Sequence, residues 1–160
     1  MKKPRIPMSP SELPQQRLVL VVDLEPRPDP FDVVVDYGAR PPGVELPNGP
    51  SNPEYLCQAE WSWSPMHSRV DAYYLSRGRT HWMLWSYWYD DNWGKWDWTP
   101  VAYVPRRQAT ARQAAVHLLI EFWKFDREQT DLNRYHWINA SAFLSVAELR
   151  EIAHIVWPDG

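Results

Sequence analysis

The sequence of 160 residues is poor in cysteine and glycine, with a single cysteine, Cys57, and six glycines. One thiol excludes an intramolecular disulfide, and therefore a small secreted scaffold held together by disulfides; a reducing cytoplasm is the expected compartment. No apolar run reaches the ~20 residues that span a bilayer, and no apolar stretch of signal-peptide length follows the basic first residues. We therefore expect a cytoplasmic protein with no membrane segment.

A strong charge of either sign is also missing. The formal net charge is −3, so no long-range field would attract nucleic acid or an anionic membrane surface. Lysine supplies only four of the seventeen basic residues. An excess of arginine over lysine is typical of GC-rich genomes, and it favours a bacterial or phage origin.

Common catalytic and nucleotide-binding sequence motifs are absent too. The sequence contains no P-loop, GxGxxG, GxSxG or HExxH. His117 and Glu121 have the i, i+4 spacing of metal ligands, but they fall on a narrow polar stripe of a predicted helix, where a solvated pair is expected. Cys57 lies on the apolar side of its strand, which predicts a buried, inert thiol. We therefore predict no catalytic residue, metal or cofactor, although an enzyme with a non-local Asp, His and Arg site stays an alternative.

Proline and tryptophan are abundant but unevenly placed. Twelve of the sixteen prolines precede residue 54, whereas the eleven tryptophans follow it. Prolines at every third or fourth position predict an extended arm over residues 1–16, before a single domain over 17–160. Within that domain, valine-rich runs predict strands at Arg17–Leu24 and Phe31–Tyr37, and five prolines predict a loop over 38–53.

Residues 54–104 have the pattern of a four-stranded antiparallel meander. Glu54–Ser64 alternates in polarity, which predicts a half-buried strand with Tyr55, Cys57 and Ala59 on one face. Three further strands are predicted at 69–77, 79–90 and 95–104. Asp90 to Lys95 predicts a hairpin loop with Gly94 in the left-handed conformation.

Helical signals begin after the meander. Thr110 and Gln113 form a capping box that opens a helix of about 110–128, and Ser145 with Glu148 opens a second of about 145–156, whose apolar face includes Val146. A short strand is predicted between them, around 135–138. The fold class predicted is α+β: an antiparallel sheet of five to six strands with both helices packed on one face.

Six tryptophans lie within residues 82–98. Helices on one side of a sheet cover only one face, so some of these rings should stay exposed on the other. Tryptophan, tyrosine and arginine dominate the energetics of protein interfaces. The predicted binding residues are an aromatic set with charged neighbours at its rim: Trp85, Tyr87, Tyr89, Trp93, Trp96 and Trp98, with Asp90, Asp91, Arg77 and Arg79.

These features predict a cytosolic protein-binding module of the immunity, inhibitor or antagonist type, whose partner is a toxin, a host or phage enzyme, or a second copy of the chain. The alternative is a small-ligand or carbohydrate-binding domain with a tryptophan-lined cleft. Single-stranded nucleic acid is disfavoured, because Asp90, Asp91 and Asp97 outnumber Lys95 in the hairpin. A flat aromatic face would favour a protein partner, and a deep pocket a ligand or a substrate.

Overall fold

The computed structural model describes residues 24, 27–64, 67–90, 94–130, 135–141 and 143–158. Within them, side chains are described except for 61–64, 67–69, 90, 130 and 135–140. The elements, in chain order, are β1 (Val34–Val35), β2 (Glu54–Ser64), β3 (His67–Arg77), β4 (His81–Asp90), β5 (Lys95–Pro105), α1 (Ala111–Thr130), β6 (Tyr135–Ala140) and α2 (Val146–Val156).

The strands form one antiparallel sheet in the order β1-β5-β4-β3-β2-β6. The meander β2 to β5 makes its centre, and β1 and β6 make its edges. The predicted α+β fold is confirmed, with strand limits within two residues of those predicted for the meander. Gly94 has a φ of 64°, the left-handed conformation predicted for the hairpin.

Both helices begin at the predicted capping boxes. The Thr110 hydroxyl accepts a hydrogen bond from the Gln113 amide, and the Gln113 side chain accepts one from the Thr110 amide. Ser145 and Glu148 exchange the same two bonds. Each box satisfies amides that the first turn of a helix would otherwise leave without a partner.

The main core lies between the helices and one face of the sheet, called here the inner face. Helix α1 packs on β1, β4 and β5, and α2 packs on α1 and β6. This core contains buried residues such as Leu84, Val104, Leu118 and Leu149. Val146, predicted on the apolar face of α2, is instead 42% exposed.

The predicted strand Phe31–Tyr37 is much shorter in the structure. Only Val34 and Val35 pair with β5, and the Asp36 amide adds one bond to the Val101 carbonyl. The backbone turns at once into Gly38, whose φ is 79°. The other predicted strand, Arg17–Leu24, lies outside the described residues except for Leu24, which is in a turn. The predicted arm 1–16 also lies outside them.

A bulge in β2 changes which side chains face the helices. The register with β3 shifts between Tyr55 and Cys57, and Leu56 and Cys57 are both fully buried in the main core. The predicted common face for Tyr55, Cys57 and Ala59 is therefore wrong for Tyr55. The extra residue turns Tyr55 to the opposite, outer face, where it meets Tyr74.

Candidate functional site: the outer aromatic face

The outer face of the sheet carries a continuous row of aromatic rings, called here the outer aromatic face. The rings come from all four strands of the meander, and alternation along each strand points them away from the helices. They are Tyr55 of β2, Tyr74 of β3, Trp85, Tyr87 and Tyr89 of β4, and Trp96 and Trp98 of β5.

Neighbouring rings in this row touch each other. Tyr74 contacts Tyr55 at a centroid distance of 5.4 Å and Trp98 at 4.9 Å. Tyr87 lies 4.4 Å from Trp98 and stacks on Trp96 at 5.2 Å, with an interplanar angle of 15°. These are distances at which aromatic pairs attract, so the face is a pre-ordered surface rather than a set of independent side chains.

The proline-rich segment 39–50 covers one end of this face. Ala39 and Leu46 of the segment pack with Met83 and Trp85 in a second, smaller core. Trp85 is only 2% exposed, and its indole donates a hydrogen bond to the Ser76 hydroxyl at 2.8 Å. Of the rings predicted for this face, Trp85 is therefore covered by the chain's own segment.

The other end of the face is open. Tyr89 is 45% exposed and Trp96 is 44% exposed, and their rings meet at 5.8 Å. Tyr87 and Trp98 are half-buried between the open and the covered ends. Since the rings project from paired strands instead of a loop, they present a fixed apolar surface to solvent.

The pKa of Tyr74, in the middle of the row, reflects its partial burial. Burial raises the pKa of Tyr74 above its usual value, and the neighbouring Tyr87 adds to the rise. Removing water from a phenol disfavours its charged form. The Tyr74 hydroxyl is therefore neutral at physiological pH.

The structure brings together some of the predicted binding residues and separates others. Tyr89 and Trp96 form the open end and Tyr87 and Trp98 lie next to it, whereas Trp85 lies beneath the proline-rich segment. Arg77 and Arg79 lie at the opposite end of β4, roughly 30 Å along the strand at ~3.3 Å per residue, and line a cavity of about 430 Å³ under that segment. The described residues do not include Asp91 or Trp93, nor the side chain of Asp90.

Several residues of interest have no counterpart in the sequence-based prediction. Tyr55 and Tyr74 extend the row, and the outward position of Tyr55 could not be predicted because the bulge at Leu56 depends on pairing with β3. Asp71 and Asp126 are 2% and 0% exposed, although aspartate is seldom buried. Asp126 could have been found, because it lies one turn from Phe122 on the apolar side of α1.

Asp71 and Asp126 lie near the rim of a second concavity, on the inner face. The Tyr37 hydroxyl donates a hydrogen bond to the Asp126 carboxylate, and the Tyr73 hydroxyl lies 3.5 Å from Asp71. A cleft of about 280 Å³ lies here, between Phe122 of α1 and the sheet. This cleft is separate from the outer aromatic face, because the sheet lies between them.

The described part of the chain contains no candidate metal site. No group of three His, Cys, Asp or Glu side chains gathers there in a way that could hold an ion. His117 packs against the Phe31 ring at 4.5 Å, and Cys57 is a buried free thiol. Neither helix among the described residues has the length and apolarity to cross a bilayer.

Comparison with known proteins adds no family assignment. No protein-family model matches the chain, and no curated protein or solved structure matches it. Function is therefore inferred from the surfaces of the molecule itself, above all from the outer aromatic face.

Proposed function

We propose that this chain is a protein-binding module of the immunity, inhibitor or antagonist type, whose outer aromatic face holds an extended, proline-rich segment of its partner. The observation that carries the proposal is the continuity of the face. Its covered end already packs against a proline-rich segment of this chain, and its open end, at Tyr89 and Trp96, continues the same row of rings.

The segment that packs on the covered end indicates what kind of partner segment would bind the open end. Residues 41–53 contain five prolines, and Pro47 and Pro50 line the same cavity as Met83 and Trp85. Gly49 lies directly on the Trp98 indole. Proline-rich segments lose little conformational entropy on binding and dock on aromatic-lined grooves in several unrelated domains. A partner segment of the same chemistry would extend this packing along the sheet.

The ring geometry favours a protein over a carbohydrate. A sugar stacks on an open, flat ring face, but one face of Trp96 is taken by Tyr87. Tyr89 meets Trp96 at 67°, and Tyr74 meets Trp98 at 68°. Rings tilted in this way present edges and shallow grooves, which match apolar side chains of a polypeptide better than the flat face of a sugar.

The proposal is tested by calorimetric titration with a polyproline peptide and with a glycine–serine peptide of equal length. We expect only the polyproline peptide to bind, and Tyr89→Ala and Trp96→Ala each to weaken it about tenfold, which corresponds to ~1.4 kcal/mol. Val146→Ala is the control, because it removes an apolar side chain that is 42% exposed outside the face.

Equal binding of both peptides, or unchanged affinity in Tyr89→Ala and Trp96→Ala, would contradict the proposal. Sedimentation of the free protein provides a further test. A wild-type dimer that Trp96→Ala converts to a monomer would assign the face to self-association, and the partner proposal would be wrong.

A further inference from the structure

The cavity beneath the proline-rich segment has the features of a binding site for a small anion. Its volume of about 430 Å³ lies within the range of small-molecule pockets, roughly 300–1,000 Å³. Residues within 43–51 form one wall, and the end of β3, the turn 78–80 and the first half of β4 form the other. The cavity therefore lies between an apolar segment and a turn that contains arginine.

Apolar side chains line one part of this cavity. Val44 and Leu46 come from the proline-rich segment, and Met83 and Trp85 come from the sheet. Met83 and Trp85 are each 2% exposed in the smaller core, and Leu46 packs against them. Because this core holds the side chains in place, they offer an ordered apolar surface to the body of a ligand.

Two arginines line the other part of the cavity, on either side of Gly78. Arg77 is the last residue of β3 and Arg79 lies in the turn, and both are exposed. The Gly78 amide donates a hydrogen bond to the His81 carbonyl at 2.9 Å. The Arg106 guanidinium donates to two carbonyls of the turn, at 3.1 Å to Gly78 and 2.8 Å to Arg79. The cavity arginines therefore extend from a backbone that is already ordered, which reduces the cost of binding.

Positive charge prevails around this turn. Arg106 and Arg107 follow β5 directly beside it, since the Arg106 amide donates to the Thr80 carbonyl at 2.9 Å. Burial lowers the pKa of His81, and the charge of Arg107 lowers it further. Glu45 is the one carboxylate among the described residues that line the cavity. The arginines at this end of the sheet therefore outnumber the lining carboxylate, and the local potential attracts an anion.

Residues with hydroxyl side chains complete the lining of the cavity. They are Ser51, Ser76 and Thr80. Guanidinium groups bind phosphate through paired hydrogen bonds, and a phosphate group offers more charge and more acceptor oxygens than a carboxylate. We infer that the cavity binds a small organic phosphate. Its phosphate group lies at Arg77 and Arg79, and its apolar body lies against Val44 and Met83.

The test is calorimetric titration of the full chain with phenyl phosphate, inorganic phosphate and benzyl alcohol, at neutral pH and ~0.15 M salt. We expect phenyl phosphate to bind at least about tenfold more tightly than the other two probes, since it alone engages both parts of the cavity. Arg77→Gln and Arg79→Gln should each weaken it about tenfold. Arg150→Gln is the matched control, because it removes the same charge from α2, which packs on α1 and β6.

Two further variants separate charge from apolar contact. Glu45→Gln removes the lining carboxylate and should tighten phenyl phosphate binding about threefold. Val44→Thr keeps the shape of the side chain but replaces a methyl group by a hydroxyl. It should weaken phenyl phosphate binding about threefold and leave the affinity for inorganic phosphate unchanged.

Inorganic phosphate or benzyl alcohol binding as tightly as phenyl phosphate would overturn the inference. Full affinity in Arg77→Gln and Arg79→Gln, or the same loss in Arg150→Gln, would overturn it too, as would no binding of phenyl phosphate to the wild-type protein at millimolar concentration. These outcomes are independent of the polyproline titration, because the cavity and the open end of the outer aromatic face lie at opposite ends of β4.

Discussion

A single methyl group at Gly49 should loosen the proline-rich segment from the outer aromatic face. An alanine Cβ at this position would lie 2.8 Å from Cδ1, 3.1 Å from Nε1 and 3.2 Å from Cγ of Trp98. Ordinary carbon contacts are ~3.5–4.0 Å, so the segment or the ring has to move by roughly 0.5–1 Å. The backbone itself permits alanine, because Gly49 is not among the glycines with positive φ.

The segment should be the part that moves. Trp98 is held between Tyr74 at 4.9 Å and Tyr87 at 4.4 Å, and its strand is paired with β4. Overpacking of this kind costs about 1–3 kcal/mol. With an m-value of ~2 kcal/mol/M in urea, Gly49→Ala should lower the denaturation midpoint by about 0.5–1.5 M.

The control for this experiment is Asn48→Ala, a neighbouring exposed position of the same segment. It should shift the midpoint little, and limited proteolysis should cleave the segment faster in Gly49→Ala only. If Gly49→Ala is as stable and as protease-resistant as the wild type, the segment does not pack on Trp98 and the account of the covered end is wrong.

Three further predictions concern single interactions. Tyr37→Phe should lower the free energy of unfolding by about 1–2 kcal/mol, because it removes a hydrogen bond to the buried Asp126 carboxylate; a loss below the error of urea denaturation would contradict this. Ser145→Ala should cost about 1 kcal/mol by removing the cap of α2, and a cost no larger than that of the exposed Ser51→Ala would refute it. Burial, and then the charge of Arg107, lowers the pKa of His81. His81 therefore takes up its proton at a higher pH in the unfolded chain than in the folded chain, and the free energy of unfolding should fall as the pH drops through about 6.5. NMR titration should place the pKa of His81 below 6.5, and His81→Gln should flatten the pH dependence of stability.

The parts of the fold that could be predicted depend on neighbouring residues. The capping boxes at Thr110 and Ser145 are complete within four residues of sequence, and the meander strands follow from local alternation and from the turn at Gly94. The helices also pack on one face of the sheet, as an apolar α1 requires. Such features need no knowledge of which strands pair.

The parts that could not be predicted depend on distant contacts. The bulge that turns Tyr55 outward exists only in the register between β2 and β3. The cover over Trp85 comes from a segment that precedes the meander, and its apolar content is too low to predict a core. The cleft joins Asp71 of β3 to Phe122 of α1, a proximity that no local pattern contains.

Binding of a polypeptide segment at the open end of the outer aromatic face would change the surroundings of the tryptophan rings there. NMR spectra of the tryptophan indole N–H groups test it most directly during titration with the polyproline peptide. We expect the Trp96 and Trp98 resonances to move while that of Trp123, buried in the main core, stays fixed. Movement of Trp123 or Trp82 with Trp96 and Trp98 unchanged would contradict binding at the open end.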